Sequence, residues 1–433
     1  MTWKQRHRLR TFLRSSLWPM PMAGIFAAVA LARLSLWIDR HNGWTLDISI
    51  DGARAVAGTL TGALLTFVVF VFSVLLVAVQ LASVQLTPRV IARVFQDRFT
   101  KFAVGVFLFT FTFSLGVMGR LEAPVPLISG IVSAYGSLVC LALFLLLIDR
   151  LGKELRPVRI LTSVAAEGRR VIRSVYPLCL AEQAAVARPA KTDPLGAVER
   201  VIEHRGAPGV VLAFDAEGLL KLAQQADCVL ELVPQVGDFV ATDDPLFRVY
   251  HGGRSVEERS LRQSVAFGPE RTLEQDPAFA FRIIVDIASK ALSPAINDPT
   301  TAVLALDQVH HLLRQVGSRQ LNTGMIRDAA GRVRLVYRTP NWEDFVCLAI
   351  TEIRHFGGDS IQVARRLRAM LENLIETLPE QRRPLLRQEL SLLHRKVENA
   401  FREPEDLARA DTGDAQGMGG SPSGDGKPGR EKT

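Results

Sequence analysis

One stretch, Arg271 to Thr300, gathers side chains from which a binding site could be built: Arg271, Thr272, Asp276, Asp286, Ser293, Asn297, Asp298 and Thr300. Two chemistries are open to them. Asp276–Pro277 and Asp298–Pro299 are helix starts built alike, with Asp as N-cap acceptor and Pro at the first helical position, where no donor is needed. Capped helix starts present amide donors to anions, and Arg271 adds a positive charge. Asp286, Asn297 and Asp298 could instead gather oxygens round a cation. A third reading needs no ligand. Ser293-Pro294-Ala295-Ile296-Asn297-Asp298-Pro299 holds two prolines and an Asn-Asp pair, enough for a rigid turn bonded to itself that docks the domain on itself or on a partner.

Catalytic patterns are missing. The chain has no P-loop, no GxGxxG after a strand, and no HExxH, GxSxG or EF-hand spacing. His310 and His311 are adjacent and point apart on a helix; Asp307, four residues before His311, offers a helix-face hydrogen bond. Cys140, Cys179, Cys228 and Cys347 are scattered, without CxxC or zinc spacing, and read as buried or reduced thiols. No catalytic residue, metal or cofactor is assigned.

The elements that must position the stretch are mostly helices. The first helix runs from Pro277 through Leu292 and the second from Pro299 to about Val316. Val210–Phe214, Leu219–Ala226, Val229–Val233, a Gly237–Asp238 turn and Leu246–Tyr250 read as a small β-α-β module with a hairpin, over 195–255. A helical domain follows over 256–404, with a strand at Arg332–Arg338 and helices starting at Asn341, Asp359 and about Glu380. Residues 405–433, rich in Gly, Ser, Asp and Pro from Asp411 onward, read as a disordered tail.

Ahead of all this the composition changes. The 433-residue chain is 48% hydrophobic and 22% charged, and the two are separated along it. Uncharged runs crowd residues 17–150 and read as spans over about 17–38, 55–86, 102–118 and 125–148; the second exceeds the ~20 residues a bilayer requires and the third is short of it. On the second span Thr59, Gly62, Thr66, Ser73 and Gln80 share one helical face, a seam expected to turn to protein or water. Ser129, Gly130, Ser133, Gly136, Ser137 and Cys140 make a small-residue stripe on the fourth, suited to close helix approach. Packing outweighs conduction, since a pore needs more polar surface than either face shows.

The net charge of +8 comes with 52 basic and 44 acidic residues. Many of the basic residues flank apolar runs, so nucleic acid is not the expected partner. Basic residues in 1–16, acidic Asp39, Asp47 and Asp51, then Arg89, Arg93, Arg98 and Lys101, and finally Arg150, Lys153, Arg156 and Arg159, place both termini in the cytoplasm. A cleaved signal with Ala28–Ala30 is the alternative for the first run; Pro19, Pro21 and Trp37 favour a retained anchor. Residues 151–194 read as a juxtamembrane helix with Arg169, Arg170 and Arg173, then a linker.

The runs DIASKALSPAINDPTTA, SVLLVAVQLASVQLTPR and VGDFV, with RT ahead of Asp276, resemble the bacterial predicted membrane proteins grouped as domain of unknown function 2254. The resemblance covers about Leu13 to Phe401. It implies an inner-membrane protein with N-terminal spans and a cytosolic C-terminal domain, and no established activity. The family pattern carries Gly where this chain has Ala295, which puts a positive φ there in doubt.

The expected fold is mostly α, a four-helix transmembrane region followed by a cytosolic α+β domain. The expected protein is a homo-oligomer in the bacterial plasma membrane, a channel-like or sensor protein whose ligand is a small anion or cation. The alternative is a membrane-anchored structural or partner-binding module without transport; a membrane-bound enzyme ranks last.

Overall fold

The computed structural model describes residues 18–46, 48–85, 98–120, 125–154, 156–180, 195–252, 256–321 and 324–419, besides Trp3 and Arg6. Two compact units divide the chain, one of Leu9–Ile160 and one containing Leu161–Thr433.

In the first unit, α1 (Pro19–Asn42), α2 (Ile50–Gln85), α3 (Arg98–Met118) and α4 (Leu127–Glu154) are each long and apolar enough to cross a membrane. The shortest of them, α3, is the hub. Half of its apolar window is buried, against 22–28% for the others, and it packs on all three. Small residues allow this. A Cβ on Gly24 would stand 2.7 Å from the Gly105 carbonyl oxygen, and one on Gly136 3.0 Å from the Thr110 methyl. The serine stripe of α4 therefore packs inside one chain, with Ser129, Ser133, Ser137 and Cys140 all buried. Two-residue strands β1 (Thr45–Leu46) and β2 (Val125–Pro126) pair antiparallel beyond the helix ends.

The seam of α2 behaves differently. Thr61, Leu64, Val71 and Leu75 form its buried face, and Thr59, Gly62, Thr66, Ser73 and Gln80 all face outward. Of the protein or water this seam is expected to face, the other helices of the same chain do not cover it. Thr59, Thr66 and Ser73 donate to the carbonyls of Ala55, Gly62 and Val69 at 2.8–3.0 Å, so these hydroxyls are satisfied within the helix and need no neighbour.

The second unit begins within α5 (Pro157–Val175), whose Gly168 lets it close on Ala280; a Cβ there would lie 2.6 Å from that side chain. Its strands are β3 (Val198–Glu203), β4 (Gly209–Phe214), β5 (Val229–Leu232), β6 (Phe239–Val240), β7 (Pro245–Tyr250), β8 (Val265–Gly268), β9 (Met325–Arg327) and β10 (Val333–Tyr337). They form a five-stranded sheet, β3-β7-β5-β10-β9, and a three-stranded sheet, β6-β4-β8. The expected β-α-β unit is therefore absent: β4 and β5 flank α6 (Ala216–Gln225) but lie in different sheets. The parallel partner of β5 is β10, from about a hundred residues downstream, with Leu335 opposite Leu230. Nor does the strand module close at 255, since β8 after α7 (Glu258–Gln263) completes the smaller sheet.

The helices are α8 (Pro277–Ala291), α9 (Pro299–Gly317), α10 (Trp342–Gly357), α11 (Ile361–Thr377), α12 (Arg383–Ala400) and α13 (Pro404–Ala410). Asp276 and Asp298 cap α8 and α9 as their types predict, and Asn341 with Asp344 forms a full capping box on α10. Phe281, Phe345 and Tyr176 meet edge-on or tilted in the core between α8, α10 and the end of α5. Of the tail 405–433 expected to be disordered, 405–410 belong to helix α13 and 411–419 are tied down. The Asp414 carboxylate accepts from the amides of Gln416, Gly417 and Gly419, and the Gln362 amide donates to the Gly417 carbonyl. Residues 420–433 lie outside the described residues.

Candidate functional site

The Asp-Pro pair at 276–277 starts α8 because Pro supplies the helical φ and lacks the N–H that a first-turn residue would leave unpaired. Asp276 Oδ1 then accepts from the Phe279 amide at 3.0 Å. Its other oxygen, Oδ2, is buried and has no hydrogen-bond partner among the described residues. Arg271 stands nearest, with Nη1 4.0 Å away, too far for a hydrogen bond, because its Nε is committed to the Gly237 carbonyl at 2.8 Å.

Gly237 makes this approach feasible. Its φ is +97°, and a Cβ would lie 2.8 Å from both Asp276 Oδ2 and Arg271 Cζ. The turn carrying it is pinned to β4, with Gly237 N–H donating to the Val211 carbonyl and Val211 N–H to the Asp238 carbonyl. Asp276 is 4% exposed. Burial, opposed by Arg271 and the amides of α8, pushes its carboxyl up to about 6.

Asp276 lines a cleft of about 370 Å³ inside the second unit. One wall is the end of α5, Ser174 to Tyr176; another is β10 and the turn after it, Tyr337 to Pro340. Phe214 and Gln235 come from the smaller sheet side and Glu274 and Gln275 from the approach to α8. The Gln275 amide clamps the Phe214 backbone, accepting from its N–H at 3.1 Å and donating to its carbonyl at 3.3 Å. Tyr176 and Thr339 hydroxyls bond at 3.2 Å, and burial lifts the Tyr176 phenol to about 12, so it stays neutral.

The other expected residues lie elsewhere. Asp286 is ten residues along α8 from Asp276, roughly 15 Å at the helical rise. It pairs with Arg282, whose guanidinium also grips Glu352 through two 2.6 Å bonds and holds that carboxyl below its usual range. Ser293, Asn297 and Asp298 sit in the turn after α8, bonded inward. Ser293 donates to the Lys290 carbonyl, Asn297 N–H to the Ser293 carbonyl, and Asp298 N–H to the Ala291 carbonyl at 2.7 Å. Both Asp298 oxygens are taken by the Thr301 amide and hydroxyl, and Thr300 is exposed. The positive φ of this turn falls on Asn297, at 47°, and not on Ala295. Arg271 and Asp276 thus meet, and Asp286, Ser293, Asn297, Asp298 and Thr300 do not join them.

Gly237 reads in sequence as a turn residue and not as part of the site, and Tyr176, Gln275, Tyr337 and Thr339 do not stand out for it at all. The VGDFV run was a visible signal for the first; the others are ordinary residue types placed by tertiary structure. Likewise His310 bonds Asn373 at 2.9 Å, and Asp307 pairs with Arg366 instead of His311. The four cysteines are free. Among the described residues no group of three or more His, Cys, Asp or Glu is arranged to hold a metal.

No solved structure matches the chain. It is similar to an uncharacterized protein of Mycobacterium bovis, 25% identical, the match covering 93% of this chain and 80% of the relative. Two uncharacterized proteins of Mycobacterium tuberculosis strains match at 25% and 24% identity with the same coverage. The profile of a predicted membrane protein family matches residues 14–373, which includes all four apolar helices and every residue of the cleft. The chain belongs to that family, the predicted membrane proteins of domain of unknown function 2254.

Proposed function

We propose that the protein is a multi-pass plasma-membrane sensor or gated channel, with the Asp276 cleft as the regulatory ligand site of a cytosolic unit. One observation carries the reading. Asp276, which lines the cleft, has a buried carboxylate oxygen with no hydrogen-bond partner among the described residues, and one wall of the cleft is the end of α5, the helix that starts three residues after α4 stops. A ligand that orders this wall acts on a helix continuous in sequence with the fourth apolar segment. Cytosolic placement is supported by the basic residues in 1–16, by Arg89, Arg93, Arg98 and Lys101, by Arg150, Lys153 and Arg156, and by Arg159, Arg170 and Arg173 on α5.

The outward seam of α2 supports a homo-oligomer, with Thr59, Gly62, Thr66, Ser73 and Gln80 facing a second copy. Reconstitution into liposomes tests the reading. Gln80→Leu and Ser73→Ala that spare assembly but alter ion flux place the seam on a conduction path; loss of assembly makes it an interface. No flux under any condition favours the second reading, a membrane-anchored partner-binding module. That reading draws on the self-bonded 293–300 turn, whose Ile296 is exposed at its tip.

A further inference from the structure

We infer that a basic face formed by α5 and α9 docks on anionic phospholipid headgroups of the inner leaflet, which rests on reading the four apolar helices as spans. The first ground is α5 itself. Leu161, Val164, Val171 and Ile172 are buried, and Gly168 closes on Ala280. Arg156, Ser163, Arg170 and Arg173 are exposed and fall within about 100° of one another at helical spacing. The apolar stripe is therefore used inside the protein, and the face left over is cationic.

Tertiary structure enlarges that face. Gln315 of α9 donates to the Arg169 carbonyl at 3.0 Å, which brings His311 and Arg314, both exposed, beside Arg169 and Arg173. Burial, then the guanidiniums of Arg169, Arg314 and Arg173, hold the His311 imidazole below its usual range. Each helix carries one acidic residue, and each is engaged: Asp307 pairs with Arg366, and Glu167 has its own partner. Among the described residues no carboxylate pairs with Arg156, Arg169, Arg170, Arg173 or Arg314. Orientation signals do not account for all of this charge. They act within about 20 residues of a span, and Arg314 stands on a helix that begins at Pro299, far beyond the end of α4 at Glu154.

Chain connection selects the bilayer as the anion. α5 starts three residues after α4 stops, and at ~1.5 Å per residue Arg173 lies within about 24 Å of the start of its helix. That tether holds the face at a high effective concentration of headgroups, an advantage no soluble anion has. A guanidinium meets phosphate through paired N–H bonds, and the inner leaflet carries a negative surface potential. A second copy seated on this face by twofold symmetry would set arginine against arginine.

The full chain in nanodiscs tests this, with Cys179 and Cys347 replaced by Ser and an environment-sensitive fluorophore on S163C. A fixed share of the lipid carries a nitroxide quencher on its headgroup; the rest is either phosphatidylcholine alone or one-third phosphatidylglycerol. Phosphatidylglycerol should raise quenching at least twofold. Raising salt from about 0.1 M to about 1 M, which shortens the screening length from ~10 Å to ~3 Å, should remove the gain. R170Q/R173Q/R314Q should lose the gain and keep the wild-type thermal midpoint, since these side chains are exposed, and R170K/R173K/R314K should retain most of it. The lipid and salt arms need no charge variant. Equal quenching in the two lipids, or a gain that survives salt or the Gln variant, overturns the lipid assignment. So does tight binding of pyrophosphate or a short DNA duplex to phosphatidylcholine discs that the Gln variant loses, which would give the face to a soluble polyanion. Nanodiscs present the same lipid on both sides, so a reversed topology leaves these outcomes unchanged, whereas a chain that fails to enter discs refutes the spans.

Discussion

Asp276 is a carboxylate held between two demands. As an N-cap it must be ionised or at least accepting, yet the turn at Gly237 covers its second oxygen. Its carboxyl rises from an ordinary 3.8 to about 6, with Arg271 opposing and Asp238 reinforcing the shift. The native state therefore holds this proton more tightly than the unfolded chain does. Stability from this group is gained as pH falls through 6, is complete below about 4, and is lost again on raising the pH, a swing of roughly 3 kcal/mol. D276N should remove that swing. Thermal midpoints of wild type and variant, measured from pH 7 to 4, should converge or cross in favour of wild type at the acid end; parallel curves would contradict the burial of the charge. Gly237 offers a second check at this scale. G237A combines a positive φ with a Cβ 2.8 Å from two side chains, and should cost roughly 1–3 kcal/mol by chemical denaturation.

Between elements, the clearest dependence joins α1 to α4. Asp39, 2% exposed near the end of α1, accepts from the amides of Ile128 and Ser129 at 2.9 and 3.0 Å and from the Ser129 hydroxyl at 2.9 Å. An acidic residue that reads in sequence as a loop charge is instead the N-terminal cap of a helix ninety residues away. D39A strands those donors where little water reaches, and should destabilise by about 2–3 kcal/mol, with D39N, which retains an acceptor, costing less. Thermal unfolding in detergent reads the order. Where α1 crosses α3, G24V puts bulk against the Gly105 backbone and should lower the same midpoint, while G62V on the open face of α2 should leave a monomer's midpoint unchanged. A G62V effect on oligomer mass alone would mark that face as an interface between copies.

For the whole molecule, four long apolar helices in one unit and a charged, strand-containing second unit predict a protein that resists carbonate extraction. Reporter fusions after Phe401 should be active only on the cytoplasmic side. Periplasmic activity there would reverse the proposed orientation and with it the cytosolic cleft. Disulfide trapping between single cysteines at Thr66 and Ser73, with Cys179 and Cys347 replaced by Ser, should give dimers in membranes if the seam joins two copies, and cysteines on the buried face at Leu64 should give none.

Legibility followed the range of the interactions. Apolar run length, Asp-Pro caps at 276 and 298, the capping box at Asn341 and the strand at 333–337 are set by residues within a turn or two of one another, so spacing and propensity sufficed to find them. The partner of that strand, the cap that Asp39 provides, and the meeting of Arg271, Gly237 and Asp276 join segments from 34 to about a hundred residues apart. Asp276 and Asp298 share a motif and a cap, and they differ in the third residue on, Phe279 for one and Thr301 for the other. The Thr301 amide and hydroxyl satisfy both oxygens of Asp298 from within its own first turn; tertiary packing decided that the second oxygen of Asp276 would be buried against the Gly237 turn and unmet, because hydrogen-bond satisfaction there depends on what the fold brings within 3 Å.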